Sequence, residues 1–173
     1  MVKRTLTIIA TLALLASTLH AGEKITWRDG SKVFTWANAV EKSHVVDGRH
    51  IGEAWHLSYA RDGEDELLGL VVLSSVSVDG QAINLVVGIS TSGEISRVAV
   101  REHGVVDAEF LAQFEGLSAA SDFAIAESVD DLTTIPAALK AMRGKEALSM
   151  AIASEVSAVL ATTTGVAGTV PTP

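Results

Sequence analysis

The chain has no cysteine among its 173 residues, and this absence narrows its chemistry at once. Disulfides, iron–sulfur clusters, thiol catalysis and covalently attached c-type haem all require cysteine sulfur. Aromatic residues are also few, at 5% of the chain, and we expect Trp27, Trp36 and Trp55 to pack inside because large aromatics dominate cores. A chain of this length can bury such a core within one ordinary domain.

Basic residues are scarce, because 13 Lys and Arg stand against 21 Asp and Glu and leave a net charge of −8 at pH 7. No cluster of Lys or Arg is longer than a pair. Affinity for nucleic acid comes largely from neutralising phosphates with basic side chains. The composition therefore excludes nucleic acid as an expected partner.

The first 21 residues carry the three parts of a secretory signal peptide. Lys3 and Arg4 make a basic start, an apolar stretch runs from Leu6 to Leu19, and a cleavage site ends at Ala21. A helix needs about 20 apolar residues to cross a bilayer, and this apolar stretch is shorter. We expect residues 1–21 to be removed, which makes the mature protein periplasmic or secreted. No lipoprotein anchor and no further membrane span are expected.

Apolar runs in the middle of the chain predict an antiparallel meander of about four strands. Ile51, Trp55, Leu57 and Tyr59 come close to a period of two, as in a half-buried strand. A nearly continuous apolar run follows and predicts a strand buried on both faces. Asp79-Gly80 then favours a tight hairpin. The predicted strands are, in order, Ile51–Tyr59, Leu67–Val78, Ile83–Ile89 and Ile95–Val100.

Apolar residues at helical spacing predict helices on either side of these strands. Asp107 and Gly116 are suited to begin and end one of them. The predicted helices lie within Val33–Val40, Asp107–Gly116, Pro136–Met142 and Leu148–Leu160. Residues 162–173 lack periodicity and predict a disordered tail. We therefore expect one α+β domain over residues 22–161, with an antiparallel sheet of four to six strands packed by two or three helices.

Several motifs follow one another in a recognisable order between Leu67 and Leu160. They are Leu68-Gly69-Leu70-Val71-Val72, Val87-Gly88-Ile89, Ser92-Gly93-Glu94-Ile95, the strand positions Ile95, Val98 and Val100, and Phe110-Leu111-Ala112-Gln113-Phe114-Glu115-Gly116. In this order they resemble the FMN-binding domain family. That family includes the C subunit of the sodium-translocating NADH:quinone reductase and the G subunit of the Rnf complex. The last motif is the most specific of the set.

The resemblance implies a flavin phosphate at the N-terminus of the last helix, where free backbone N–H groups and the helix dipole favour an anion. Members that attach FMN covalently do so through the Thr of an Asp-x-x-Ser/Thr-Gly-Ala-Thr motif. One alignment places residues 129–136 on that motif and assigns Thr133 and Thr134 to the phosphate. The other places Arg143-Gly144-Lys145-Glu146 there, with Arg143 attracting the phosphate and Glu146 at the Thr position. Glu102 and His103 would lie toward the flavin ring.

Neither alignment supplies the attachment threonine, so any FMN is expected to be bound noncovalently. The resemblance implies an exported accessory or electron-transfer component of a membrane redox complex, in which the cofactor and not the protein carries the chemistry. The resemblance thus favours an electron carrier or accessory protein over a catalyst. The alternative is a degenerate domain that binds no flavin and serves as a periplasmic ligand-binding or protein-interaction module.

Two other groups of residues could suggest a metal, but each has a simpler interpretation. His44, His50 and His56 recur every sixth residue, which fits neither one face of a helix nor one face of a strand. The acidic run from Asp62 to Glu66 lacks the twelfth-position Glu and the helical flanks of a calcium loop. We expect a solvated turn there and no metal site. The serines show no G-x-S-x-G elbow that would indicate a hydrolase.

Overall fold

The computed structural model describes residues 24–102, 106–126 and 138–167. In chain order they form α1 (Trp27–Val33), β1 (Ala39–Val46), β2 (Arg49–His56), β3 (Glu66–Val78), β4 (Gln81–Ser90), β5 (Ile95–Val100), α2 (Ala108–Ala112), β6 (Ile125–Ala126), β7 (Leu139–Lys140) and α3 (Glu146–Ala167). Strands β1 to β5 make one antiparallel meander in chain order, and β6 and β7 make a short parallel pair. The predicted α+β fold is confirmed. The predicted signal peptide lies outside the described residues.

The long strand β3 is buried on both faces, as its continuous apolar run predicts. Val71 and Leu73 belong to one core cluster, whereas Val72 and Val76 belong to the other. The predicted hairpin to β4 is also confirmed, because Asp79 and Gly80 have φ angles of 52° and 78°. Two consecutive residues with positive φ match the right-handed twist of the flanking strands.

Helices α3 and α2 pack on one face of the sheet, and α1 packs on part of the other face. The predicted apolar stripe of α3 is buried against the sheet, mainly on β3. Its members are Leu148, Ile152, Val156, Val159 and Leu160. Over Glu146–Thr164 this helix is long and apolar enough to cross a membrane, with a mean hydropathy of 1.3. The buried stripe gives the apolar composition a structural reason, because a core helix needs the same residues.

The N-terminal part of the domain differs from the prediction. The helix predicted over Val33–Val40 is wrong. Helix α1 lies before it and ends at Val33, and after a turn the chain enters β1 at Ala39. Val33, Phe34 and Ala37 still join one core cluster, so a short helix followed by a turn satisfies the same apolar spacing. The prediction that Trp27 and Trp36 are buried is wrong, since they are 53% and 72% exposed.

The predicted strand over Ile51–Tyr59 is too long at its end. The side chain of Asn38 pairs with both backbone groups of Leu57, accepting from its N–H at 2.8 Å and donating to its carbonyl at 2.9 Å. These bonds follow directly after the strand, which ends at His56. Tyr59 lies beyond it and is 91% exposed.

Two predictions near the C-terminus are also wrong within the described residues. The predicted helix over Pro136–Met142 is replaced, in its described part, by β7, which pairs with β6. The prediction of a disordered tail is wrong for residues 162–167, because α3 continues to Ala167. Each error has its own cause. A two-residue strand such as β7 carries no periodic signal, and the last apolar residue of the stripe does not mark the end of α3.

Candidate functional site

A cavity of about 460 Å³ opens between one end of the sheet and the second half of α3. The start of β3, the turn between β4 and β5, the loop at Ser118–Ala120 and the α3 residues Leu160, Thr163 and Thr164 form its walls. The apolar side chains come from Leu67, Leu70, Ile89 and Leu160. Among the described residues that line the cavity, none carries a charge.

Gly69 allows β3 and β4 to approach closely at the cavity. Its φ angle is 147°, and a Cβ atom at this position would lie 2.1 Å from the carbonyl oxygen of Ile89. The pairing of β2 with β3 shifts register here, since Ala54 pairs with Gly69 and Trp55 with Leu67. A bulge with positive φ is a place where only glycine fits without strain. Glycine at position 69 therefore lets β3 form this wall of the cavity without a steric clash with Ile89.

The turn between β4 and β5 is held by its own hydrogen bonds. The Ser90 N–H donates to the Glu94 carbonyl at 2.8 Å, and the Gly93 N–H donates to the Ser90 carbonyl at 3.0 Å. The hydroxyls of Ser90 and Ser92 lie 2.8 Å apart, and Ser92 also donates to a carboxylate oxygen of Glu94 at 3.3 Å. Gly93 completes the turn with a φ angle of 84°.

Backbone hydrogen bonds of Gly116 and Leu117 with Ile95 join the loop after α2 to the sheet. Phe110 and Phe114 are buried and pack edge to face at 5.4 Å between ring centroids. Gly116 has a φ angle of 80°, the left-handed conformation predicted for it, but the predicted helix is too long, because α2 ends at Ala112 and a turn follows it. The Gly116 N–H donates to the Ile95 carbonyl at 2.8 Å, and the Ile95 N–H donates to Leu117 at 2.7 Å. These bonds position Ser118–Ala120 as the outer wall.

Two residues of the helical wall, Thr163 and Thr164, come from the segment that the sequence analysis assigned to the tail. The hydroxyl of Thr163 donates to the carbonyls of Val159 and Leu160 at 3.0 and 3.1 Å. That of Thr164 donates to Leu160 at 2.7 Å. A signal for this extension exists in the sequence, because Thr163 follows Leu160 by three residues and so continues the buried stripe.

The described residues implied by the flavin resemblance lie at the other end of the sheet. Arg143 is exposed in the turn before α3. Glu102 follows β5 and accepts a hydrogen bond from the Asn84 side chain at 3.0 Å. The recess beside Glu102 and the recess beside the start of α3 share Gln81 and Ile83. His103, Thr133 and Thr134 lie outside the described residues.

The start of α3 already holds an anion from the chain itself. The Glu146 carboxylate accepts hydrogen bonds from its own N–H and from the Gly144 N–H, the latter at 2.9 Å. These two bonds lower the pKa of the Glu146 carboxyl below its ordinary value of 4.5. A phosphate at this position would compete with a carboxylate for the same donors. The described residues here therefore do not fit a flavin phosphate.

The histidines and the acidic run have ordinary structural surroundings. His44 and His56 each lie within hydrogen-bond distance of a backbone carbonyl, at 3.1 Å from Lys42 and 2.9 Å from Trp36. Asp65 accepts from the Ser58 N–H at 2.9 Å within the loop before β3. Within the described ranges, no three His, Asp or Glu side chains are grouped to hold a metal ion.

Models of known protein families give no match to this chain, and no curated protein has a significantly similar sequence. The motif order between Leu67 and Leu160 therefore stays a resemblance. Since many unrelated functions share one fold, function has to be argued from the chemistry of the site.

Proposed function

We propose that the protein is a noncatalytic binding module that holds one small, uncharged, largely apolar molecule in the cavity between the sheet and α3. The observation that carries this proposal is a cavity of about 460 Å³ with uncharged walls among its described residues. Sites for small molecules typically enclose about 300 to 1,000 Å³ and are mostly apolar with a few polar groups. Hydroxyls supply those polar groups here.

Binding is favoured over catalysis by the chemistry of the walls. General acid–base catalysis needs a titratable side chain within hydrogen-bond reach of the reacting atom. A serine or threonine nucleophile likewise needs an adjacent base. The described walls offer hydroxyls but no His, Asp, Glu or Lys side chain. The signal-like N-terminus supports a periplasmic or secreted location for this module.

The second candidate is an accessory or electron-transfer component of a membrane redox complex with noncovalently bound FMN. It is favoured by one observation besides the motif order: Glu102 and the start of α3 border adjacent recesses through Gln81 and Ile83. The position of the Glu146 carboxylate opposes it. Flavin binding would give the purified native protein a yellow colour that acid precipitation releases into the supernatant.

The cavity can be tested with N-phenyl-1-naphthylamine, a neutral fluorophore that brightens in apolar surroundings. We expect saturable binding to the mature protein. Replacing Ala120, an exposed residue of the wall, with Phe should weaken this binding at least roughly tenfold by occupying the space. Ala112→Phe adds the same ring to an exposed position of α2 that does not line the cavity, and serves as the control. Equal binding by both variants would contradict the proposed site.

FMN is tested separately with the same preparations. We expect a colourless native protein and no quenching of flavin fluorescence when FMN is titrated with it. Quenching by the wild-type protein that Ala120→Phe leaves unchanged would support the second candidate, because the flavin would then lie at the opposite end of the sheet.

A further inference from the structure

Four of the hydroxyl groups that line the cavity already donate their protons to other groups of the protein. Six lining residues carry a hydroxyl, and they are Ser90, Thr91, Ser92, Ser118, Thr163 and Thr164. The two α3 threonines donate their protons to carbonyls one turn earlier in the helix. A hydroxyl has one proton and two lone pairs. These two side chains can therefore only accept a hydrogen bond from a ligand.

The serines of the turn show the same pattern. Ser92 donates to the carboxylate of Glu94, which can only accept when ionised. The contact of 2.8 Å between Ser90 and Ser92 must then use the Ser90 proton. Both protons are thus used in a chain of hydrogen bonds that ends at the negatively charged Glu94 carboxylate. Anions are disfavoured by that charge, and Thr91 and Ser118 remain as the lining hydroxyls whose protons are not committed in this way.

Thr162, the neighbour of Thr163 in the helix, is an example of a threonine hydroxyl that donates to the helix and accepts from a second group. Thr162 donates to the Ala158 carbonyl at 2.9 Å and also accepts from the Arg49 guanidinium at 3.4 Å. It lies next to Thr163 in the same helix turn but does not line the cavity. Thr163 and Thr164 have the same bond to the helix and face a space where a ligand donor would take the place of the guanidinium.

The size of the cavity sets the scale of the ligand. An apolar cavity of about 150 Å³ holds one benzene molecule. A cavity of about 460 Å³ therefore has room for roughly 15 to 18 non-hydrogen atoms. The apolar walls of Leu67, Leu70, Ile89 and Leu160 require that most of these atoms are hydrocarbon.

We infer that the cavity selects a neutral hydrocarbon ligand that ends in a hydroxyl group, such as a long-chain alcohol or an alkylphenol. The hydroxyl donates to Thr163 or Thr164 and accepts from Ser118 or Thr91. A carboxylate has no proton to donate and would lose its hydration without a counter-charge. An ester can only accept, and so makes one hydrogen bond fewer. This inference rests on the proposed binding function and names the ligand class of the same cavity.

The test is displacement of N-phenyl-1-naphthylamine by four matched amphiphiles below their aggregation concentrations. They are dodecan-1-ol, methyl decanoate, dodecanoate and dodecylammonium. We expect the alcohol to compete most strongly. The ester should be weaker by about three- to tenfold, the value of one hydrogen bond, and the dodecanoate by roughly tenfold or more. Shortening the alcohol should weaken it by roughly fourfold per methylene.

Isosteric variants separate recognition of the hydroxyl from simple apolar binding. Thr163→Val and Thr164→Val keep the shape of the wall but remove the lone pairs, so together they should abolish the preference for alcohol over ester. Thr162→Val makes the same change outside the cavity and should leave the preference intact. If the double variant keeps the preference, the acceptor role of these threonines is wrong.

The outcomes also separate this inference from the function on which it depends. If the fluorophore binds and the alcohol competes best, both are supported. If the fluorophore binds but dodecanoate or dodecylammonium competes as strongly as the alcohol, only the ligand class is overturned. If the fluorophore does not bind, or binds equally to Ala120→Phe and Ala112→Phe, the proposed function itself fails.

Discussion

Arg49 and Glu155 form a two-point ion pair between β2 and α3, with hydrogen bonds of 2.7 Å from Nε to Oε1 and 3.1 Å from Nη2 to Oε2. Ser74 on β3 donates a further bond to the same carboxylate. The two charged side chains are 15% and 19% exposed. The pair fixes the position of α3 along the sheet, and with it the place where Leu160 and Thr163 meet the cavity.

Breaking this pair should cost substantial stability. Glu155→Gln should lower the free energy of unfolding by about 2 to 3 kcal/mol, because hydrogen bonds to charged groups are lost while the guanidinium stays largely buried. Arg49→Met combined with Glu155→Leu should recover most of the loss, since no charge is then left without a partner. Urea denaturation measures both values. The exposed pair of Arg97 and Glu115 is the control, where Glu115→Gln should cost less than about 1 kcal/mol.

Gly69 should tolerate no side chain. Alanine at this position would keep the strained positive φ and would also place its Cβ against the Ile89 carbonyl. Gly93 also has a positive φ, but a Cβ there meets no atom within 4 Å. We expect Gly93→Ala to cost about 1 to 2 kcal/mol and Gly69→Ala at least about 2 kcal/mol more, measured by thermal or urea unfolding. Equal costs would show that the two strands can separate at this point.

Glu146 should make stability depend on acid pH. Folding lowers the pKa of its carboxyl below 4.5, so the charged form stabilises the native state above that value. This contribution is lost as the pH falls through the lower folded pKa. Glu146→Gln should therefore destabilise the protein at neutral pH and have little effect near about pH 3. Glu64→Gln, in an exposed loop, controls for the change in net charge, and a similar pH profile for both variants would refute the role of the helix N-terminus.

The N-terminus should be removed on export. The basic start and the apolar stretch predict a mature chain that begins near Gly22. Intact-mass measurement of the exported protein determines the first residue, and a retained Met1 would contradict the periplasmic or secreted location. Replacing Lys3 and Arg4 with Glu should reduce export, because the basic region would be lost.

The sequence alone determined the elements whose signals are local. The apolar run of β3, the hairpin at Asp79-Gly80 and the left-handed conformation of Gly116 agree with the structure, because each depends on residues within a few positions of one another. The sequence also determined the net charge, the absence of cysteine chemistry and the signal-like N-terminus.

Only the tertiary structure decided the elements and the site that depend on distant partners. Val40 pairs with Ala54 in the sheet, which places it in a strand although its spacing also suits a helix. The pair of β6 and β7 exists because Leu139 meets Ile125. The cavity brings β3, the β4–β5 turn, the loop after α2 and the end of α3 to one place. No local sequence pattern encodes the cavity, because the cavity results from the position of α3 on the sheet. Core packing and the ion pair between Arg49 and Glu155 set that position.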